Sequence, residues 1–98
     1  MSKFRIHYSK RPEFFRPPAR TIASLALSHA FVRAIDAADR DDVFCAMQAE
    51  NWKPTKTDIA FLAHNEIRHA SMSVDDVLHN CETGEWFQVL DIGWRKLS

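Results

Sequence analysis

Glycine is nearly absent from the sequence, which has only Gly84 and Gly93. A glycine-rich loop that cradles phosphate is therefore disfavoured, and with it nucleotide hydrolysis by such a loop. The only two cysteines, Cys45 and Cys81, form no C-x-x-C pair, which disfavours a redox site or a zinc ribbon. No apolar run approaches the roughly 18 residues of a membrane span, and none near the start is typical of a signal peptide. We therefore expect a cytoplasmic protein that contacts no membrane and holds no metal or cofactor.

Net charge is also absent, because 13 Lys and Arg balance 13 Asp and Glu in a chain of 98 residues. The charges are unevenly distributed, since residues 1–20 carry six positive charges and one negative charge. A field that steers polyanions to the whole protein is not expected, but the basic end can meet phosphate or an acidic surface locally. The 46% apolar and 27% charged fractions are those of a folded globular protein, so we predict a single domain, 1–98.

The first third of the chain gives one clear pattern and one ambiguous pattern. Apolar and polar residues alternate over 3–8, which predicts a strand with one buried face. The proline-rich stretch at about 10–20 predicts an extended loop anchored by Phe14 and Phe15. Residues 21–38 fit both a helical stripe and a strand face, and their alanines favour a helix.

Helix signals become stronger in the middle of the chain. Asp39 is a capping residue, and the apolar spacing after it predicts a helix over about 40–50. A short second helix is predicted over about 57–68. Towards the end, a turn cluster at 82–85 separates two segments that fit either a hairpin or a pair of helices.

Three groups of residues have the composition of reactive sites but not the spacing. His64 and His69 are five residues apart, which places them about 140° from each other around a helix and disfavours a shared metal. Cys45 follows four aspartates, which oppose formation of a thiolate. Asp75 and Asp76 are adjacent, so on a strand they point to opposite faces, and a turn or cap role is favoured over a paired-carboxylate site.

The basic and aromatic segment at 10–20, which we call the arm, is the main candidate for a functional site. Guanidinium groups interleaved with aromatic rings can hold phosphates and stack on bases, or clamp an acidic peptide. The alternative is that the two phenylalanines pin a loop to the core while the arginines remain solvated. The candidate partner-binding residues are Lys10, Arg11, Phe14, Phe15, Arg16 and Arg20.

Two motifs near the end of the chain, at 71–77 and 91–94, resemble those of the YodL-like group of small bacterial domains. The chain is also similar to short uncharacterised proteins of plasmids and integrated elements, through H-Y-x-K-R-P at 7–12 and M-Q-x-E-x-W at 47–52. Position 75 is Asp where such relatives often have Gly or Ser, which places this departure at a tight turn. The residues that carry the family motif are Ser71, Met72, Ser73, Asp76, Asp91, Gly93 and Trp94.

The resemblance implies strands where the pattern alone is ambiguous. It implies that 77–81 and 86–92 pair, and that 30–35 is a strand despite its alanines. It also implies that Asp76 lies at the entrance to a strand and that Gly93 lies at a bulge or a close approach of backbone.

These expectations combine into an α+β domain. We predict a small, mostly antiparallel sheet of about four strands, near 3–8, 29–35, 74–81 and 86–96, covered on one face by the 40–50 helix. Truncation of Phe44 is expected to be severe. The predicted core consists of Phe31, Val43, Phe44, Met47, Val77, Leu78, Val89, Leu90 and Ile92.

For function, the sequence favours a non-catalytic small binding module, an accessory protein of a bacterial mobile element, that engages a protein or a nucleic acid through the arm. The alternative hypothesis is an inhibitor of a host defence nuclease, in which an acidic helix over 36–50 mimics a row of phosphates. A small enzyme ranks third, because no nucleophile, base and orienting group are evident together. The sequence does not decide whether the chain forms a homodimer.

Overall fold

The computed structural model describes residues 1–98 and contains one antiparallel sheet of five strands. The sheet order is β2-β1-β3-β4-β5, which puts β1 between β2 and β3. The mixed helix-and-sheet class and the antiparallel sheet are therefore confirmed. The strands are β1 (Ser2–Ser9), β2 (His29–Ala37), β3 (Val77–Asn80), β4 (Trp86–Val89) and β5 (Trp94–Leu97).

Short helices connect the strands, and local sequence signals fix where the longer ones begin. The Asp39 side chain accepts a hydrogen bond from the Asp42 N–H at 2.9 Å, and Thr55 and Asp58 form a reciprocal capping box. A single 3₁₀ turn, Ile22–Ser24, precedes the first helix. The helices are α1 (Leu25–Ser28), α2 (Arg40–Ala46), α3 (Ala49–Trp52) and α4 (Lys56–His64).

The main core lies between α2 to α4 and one face of the sheet, which we call the covered face. Alternate residues of β1, from Phe4 through Ile6 to Tyr8, point to this face and are at most 2% exposed. They pack in one cluster with Val43 of α2 and with Met47, the residue directly after this helix, and both are fully buried. Burial of each large apolar side chain contributes about 1.5 to 3 kcal/mol before entropy is deducted, so this cluster is the main source of stability.

The opposite face of the sheet, which we call the open face, is only partly covered. Leu25 of α1 packs there against Val77, Leu97 and the half-buried Trp86. The arm lies beside α1 at the end of this face, where it contacts Gln88. The rest of the open face has no helix over it.

Two predicted strands are shorter than expected, and a fifth strand appears. The segment 86–96 divides into β4 and β5 because Gly93, at φ 76°, makes a tight turn in which Leu90 N–H donates to Gly93 C=O at 3.0 Å. A Cβ atom at Gly93 would have no other part of the chain within 4 Å. The turn therefore explains this glycine, and no backbone approaches it closely. The segment 74–81 begins its strand only at Val77, because Asp75 has φ 78°.

The two predicted helices also end early. The 40–50 helix stops at Ala46, because Gln48 is extended, and a separate turn of helix, α3, follows. The 57–68 helix stops at His64, and Glu66 has φ 65°.

Most of the predicted core is buried, with four corrections. Phe31 is 38% exposed because it lies on the open face, and Ile92 is 88% exposed because it lies in the turn before β5. Phe44 is only half-buried and packs against the rim of the core, so its truncation should cost less than a fully buried phenylalanine would. Leu90 is also half-buried.

Candidate functional site

Two adjacent buried aspartates mark the point where the arm meets the sheet. Asp75 has a left-handed conformation, with φ 78°, so the pair lies in a turn before β3 rather than within a strand. Both residues are fully buried. The backbone closes the turn, since Asp76 N–H donates to Ser73 C=O at 3.1 Å and Asp75 N–H donates to Val89 C=O at 2.8 Å.

The Asp75 carboxylate is the hub that holds the arm. The Arg20 guanidinium donates to it twice, at 3.1 Å from Nε and 2.7 Å from Nη2, and Gln88 Nε2 donates at 2.8 Å. Glu13 N–H and Ser9 Oγ donate at 3.2 and 3.3 Å. Burial alone would raise the pKa of Asp75, but the hydrogen bonds from Arg20, Gln88 and Glu13 outweigh it and hold that pKa below its ordinary value.

Asp76 has a different set of partners and the opposite electrostatic balance. Its carboxylate accepts from Ser9 N–H at 2.7 Å, Ser73 N–H at 2.8 Å and His69 Nε2 at 2.8 Å. Burial raises the pKa of Asp76 to about 6 against the lowering effect of these donors. The His69 ring stacks on Tyr8 with 4.7 Å between centroids, and Tyr8 Oη donates to Ala70 C=O at 2.8 Å.

His29 completes the buried network without carrying charge. Its Nε2 lies 2.7 Å from the Asp75 carbonyl oxygen, and its Nδ1 lies 2.7 Å from Ser28 Oγ. Burial lowers the pKa of His29, so the neutral ring donates to the carbonyl and accepts from the hydroxyl. Adjacent carboxyl groups with oppositely shifted pKa values are common in active sites. Here every carboxylate oxygen is buried and bonded, so the arrangement ties segments of the chain together.

Polar contacts hold the arm in place, and the two phenylalanines do not. Gln88 Nε2 donates to Pro18 C=O at 2.9 Å, and Arg95 Nη1 donates to Pro17 C=O at 3.0 Å. Phe14 and Phe15 are 57% and 75% exposed, so the prediction that they anchor the loop was wrong. The prolines keep this segment out of the sheet, so its backbone groups have no strand partner. The side chains of Asp75, Gln88 and Arg95 satisfy some of these groups instead.

The structure divides the predicted arm residues into two groups. Arg20 is engaged with Asp75 and is not free for a partner. Arg16 and Phe15 are exposed and close together, with the guanidinium carbon 5.3 Å from the ring centroid. Lys10 and Arg11 line the clefts described next.

Two adjoining clefts lie at the base of the arm. The first, of about 510 Å³, is lined by Lys10, Arg11, Pro12, Glu66 and Arg68 and by no hydrophobic residue. The second, of about 390 Å³, shares three of these residues and extends to Arg20. Sequence reasoning missed Arg68, which lies beyond the end of α4. The chain turns at Glu66, with φ 65°, and Arg68 then lines the same cleft as the arm.

The open face carries a second group of side chains in mutual contact, which sequence reasoning did not bring together. Four aromatic rings lie there in a chain of contacts: Phe31 to His7 at 5.6 Å, His7 to Trp86 at 5.3 Å and Trp86 to His79 at 4.1 Å. The guanidinium carbon of Arg5 lies 4.2 Å from the Phe31 ring centroid. The alternation that buries Phe4, Ile6 and Tyr8 could have placed the two β1 members of this group, Arg5 and His7.

The other motif residues have structural roles where the structure gives them partners. Ser71 Oγ accepts from Ala49 N–H at 2.8 Å at the start of α3, and Met72 is buried in the main core. Trp94 Nε1 donates to Asp41 Oδ1 at 3.0 Å, which joins β5 to α2. Asp91 is exposed.

The residues weighed as reactive groups are dispersed in the fold. Cys45 and Cys81 are free and exposed. His64 is exposed at the end of α4, whereas His69 is bonded to Asp76. No three His, Cys, Asp or Glu side chains are placed to hold a metal ion, and none of the helices has both the length and the apolar character needed to cross a bilayer.

Comparison with protein-family models, with curated proteins and with solved structures finds no match to this chain. The geometry of its own residues therefore carries the functional argument.

Proposed function

We propose that this chain is a non-catalytic binding module that holds nucleic acid at the arm. The observation that carries the proposal is the cleft in which Lys10 and Arg11 of the arm face Arg68, with no hydrophobic residue in its lining. Clustered guanidinium and ammonium groups of this kind bind phosphate through charge-assisted hydrogen bonds. Glu66 is the one acidic residue in the lining of this cleft, so the net charge of the lining remains positive.

The arm is held in place before any partner arrives. Its backbone is tied to Asp75, Gln88 and Arg95, so binding does not have to order an unstructured segment. A segment that is already ordered loses less conformational entropy on binding, which favours affinity. The exposed Phe14 and Phe15 add two aromatic faces beside the cations.

The distribution of charge favours a partner that approaches from this side. Residues 1–20 carry six of the 13 basic residues and only one of the 13 acidic residues. The remainder of the chain is therefore acidic and repels a polyanion, which restricts contact to the arm and its surroundings. Aromatic rings beside guanidinium groups favour nucleic acid over an acidic protein, because bases offer faces for stacking.

A salt-dependent binding assay tests the proposal. Fluorescence polarisation of labelled single-stranded DNA, duplex DNA and single-stranded RNA is measured for the native chain and for Lys10→Gln/Arg11→Gln. We expect the double variant to bind more weakly and to reduce the slope of log K against log salt by about 1 to 2, because each lost phosphate contact removes a little less than one unit. The control, Lys56→Gln/Lys96→Gln, removes the same charge away from the clefts and should change neither quantity.

The two remaining outcomes contradict the proposal. If the native chain retains neither DNA nor RNA at low salt, a nucleic-acid partner is excluded and a protein partner at the arm replaces it. If the control variant weakens binding as much as the arm variant, binding reflects overall charge rather than the clefts. A place in a bacterial mobile element remains a proposal that rests on the motif resemblance alone.

The alternative proposal, an inhibitor acting through the acidic segment 36–50, has weaker support. Its carboxylates lie on the end of β2, the α2 cap, α2 and α3, and not on one helix. Asp39 and Asp41 also already accept hydrogen bonds within the chain. Recovery of a nuclease from a bacterial lysate by the native chain, and not by Asp36→Asn/Asp42→Asn, would favour this alternative over the arm.

A further inference from the structure

The open face of the sheet has a chemical composition unlike that of an ordinary solvated surface. Its uncovered part carries the chain of rings formed by Phe31, His7, Trp86 and His79. Phe31 is 38% exposed and the other three rings are half-buried. Solvated sheet faces are normally polar, since alternation sends apolar residues to the core. Rings that remain partly exposed on such a face indicate a surface for contact.

The cation on this face favours one kind of occupant. Arg5 lies over Phe31 at 4.2 Å, and Lys3 follows on the same side of β1. A guanidinium plane and an aromatic ring both stack on bases, and a guanidinium also meets phosphate. Asp36 lies opposite Lys3 in the register of β1 and β2 and offsets its charge, so Arg5 is the cation that lies at the rings.

His7 adds a polar atom that the protein itself does not satisfy. Its Nε2 is buried among the rings and has no hydrogen-bond partner. Burial, followed by the charge of Arg5, lowers the pKa of His7 to about 4, so the ring is neutral at pH 7. Because this nitrogen is buried, it does not reach a ligand, and the His7 ring instead supports the neighbouring Phe31 and Trp86 rings from within the face.

The rings lie close to the clefts of the arm. Ser9 lines the second cleft, and it lies two residues beyond His7 on β1, which is about 7 Å along a strand. The opposite residues of β2, His29 and Phe31, are separated in the same way. One extended ligand can therefore occupy both surfaces.

We propose that the open face stacks unpaired bases, so that this module selects single-stranded nucleic acid over duplex. The phosphates lie in the clefts lined by Lys10 and Arg11, and the bases that follow lie against Arg5, Phe31 and His79. The inference rests on the proposed function of the arm, and it adds the class of nucleic acid that the module takes. Duplex DNA, with its bases already stacked on each other, has no ring faces to offer to this surface.

The experiment separates the base contacts from the phosphate contacts. Three labelled probes are used: a 12-residue oligothymidylate, a 12-residue oligomer of the same backbone with abasic sites, and a 12-base-pair duplex. The variants are Phe31→Ala/His79→Ala for the rings and Lys10→Gln/Arg11→Gln for the clefts. The native chain should bind oligothymidylate more tightly than either other probe.

The ring variant should lose affinity for oligothymidylate by roughly 5- to 150-fold, which is the effect of removing one stacked base. Its affinity for the abasic oligomer and the duplex should not change. The cleft variant should weaken binding to all three probes. Phe31→Leu, which keeps an apolar side chain and loses the ring, guards against a folding effect and should also lose affinity for oligothymidylate.

Two results overturn this inference, and they are distinguishable from failure of the arm. Equal affinity of the native chain for the three probes, or unchanged affinity of the folded ring variant, removes the base contacts while leaving the phosphate clefts in place. No binding of any probe removes both proposals. Amide chemical shifts of Arg5, His7 and Phe31 that move with oligothymidylate, and not with the abasic oligomer, would support the placement.

Discussion

Replacement of Asp75 by asparagine is the sharpest test of how the arm is held. Asparagine has nearly the same shape and tolerates a left-handed backbone, so the φ of 78° should not add strain. The change removes the negative charge that faces the Arg20 guanidinium across 2.7 Å. The carboxylate of Asp75 accepts five hydrogen bonds, so every neighbouring group is a donor. The amide NH₂ of asparagine would face these donors without an acceptor.

The magnitude follows from the burial of the two partners. Loss of one partner of a fully buried ion pair costs about 3 to 5 kcal/mol. The Arg20 side chain is 20% exposed, so it can regain some hydration, and we expect a loss of about 2 to 4 kcal/mol from the free energy of unfolding. A loss of 3 kcal/mol in a chain of this length lowers Tm by roughly 12 to 24 °C.

The assay combines equilibrium unfolding in urea with limited trypsin digestion. The variant should unfold at lower urea, and cleavage after Lys10 and Arg20 should become faster in the folded state, because the arm is released and neither residue is followed by proline. A double-mutant cycle with Arg20→Gln should give a coupling energy above about 1 kcal/mol. If Asp75→Asn retains native stability and the arm is cut no faster, the carboxylate does not hold the arm and the argument fails.

Three further predictions follow from single features. The ring of His7 should titrate in NMR with a midpoint near pH 4, because burial lowers its pKa. The unfolded chain takes up this proton near pH 6.5 and the folded chain does not, so the free energy of unfolding falls as the pH falls from 6.5 towards 4. Urea unfolding at pH 4.5 should therefore show a smaller loss of stability for His7→Phe than for the native chain. Phe44→Ala should cost about 1 to 3 kcal/mol, less than the same truncation of the fully buried Met47, and equal or greater cost would contradict the partial burial. Gly93→Ala should destabilise by about 1 kcal/mol through its φ of 76°, since open space surrounds it, and a neutral result in thermal unfolding would show that the turn relaxes.

Local sequence signals predicted the elements that depend on local physics. Alternation over 3–8 predicts β1, and Asp39 predicts the start of α2, because period and capping act within a few residues. The strand at 30–35, which the resemblance implied against the helical preference of its alanines, is present as part of β2. There the pairing of eight residues with β1 overrides the small differences in helix propensity.

The candidate site was less predictable, because its geometry depends on distant partners. Nothing near Asp75 in the sequence indicates that Arg20 and Gln88 contact its carboxylate from 55 and 13 positions away. The turn or cap role expected for Asp75 and Asp76 agrees with the structure, because Asp76 accepts from Ser73 N–H in a turn. The positive φ of Asp75 was not predictable, since such a conformation is rare at a residue other than glycine. Phe31 was assigned to the core on hydrophobicity alone, which does not reveal the face of β2 on which a residue lies.

The attachment of the arm also constrains the order of events during synthesis. Residues 10–20 are synthesised before the groups that hold them, because Asp75, Gln88 and Arg95 lie 62, 70 and 78 positions after their partners in the arm. A nascent chain therefore carries an unattached basic segment until those residues are made. The clefts beside the arm come into being only when the final strands close the sheet, so a ligand cannot meet a competent site on an unfinished chain.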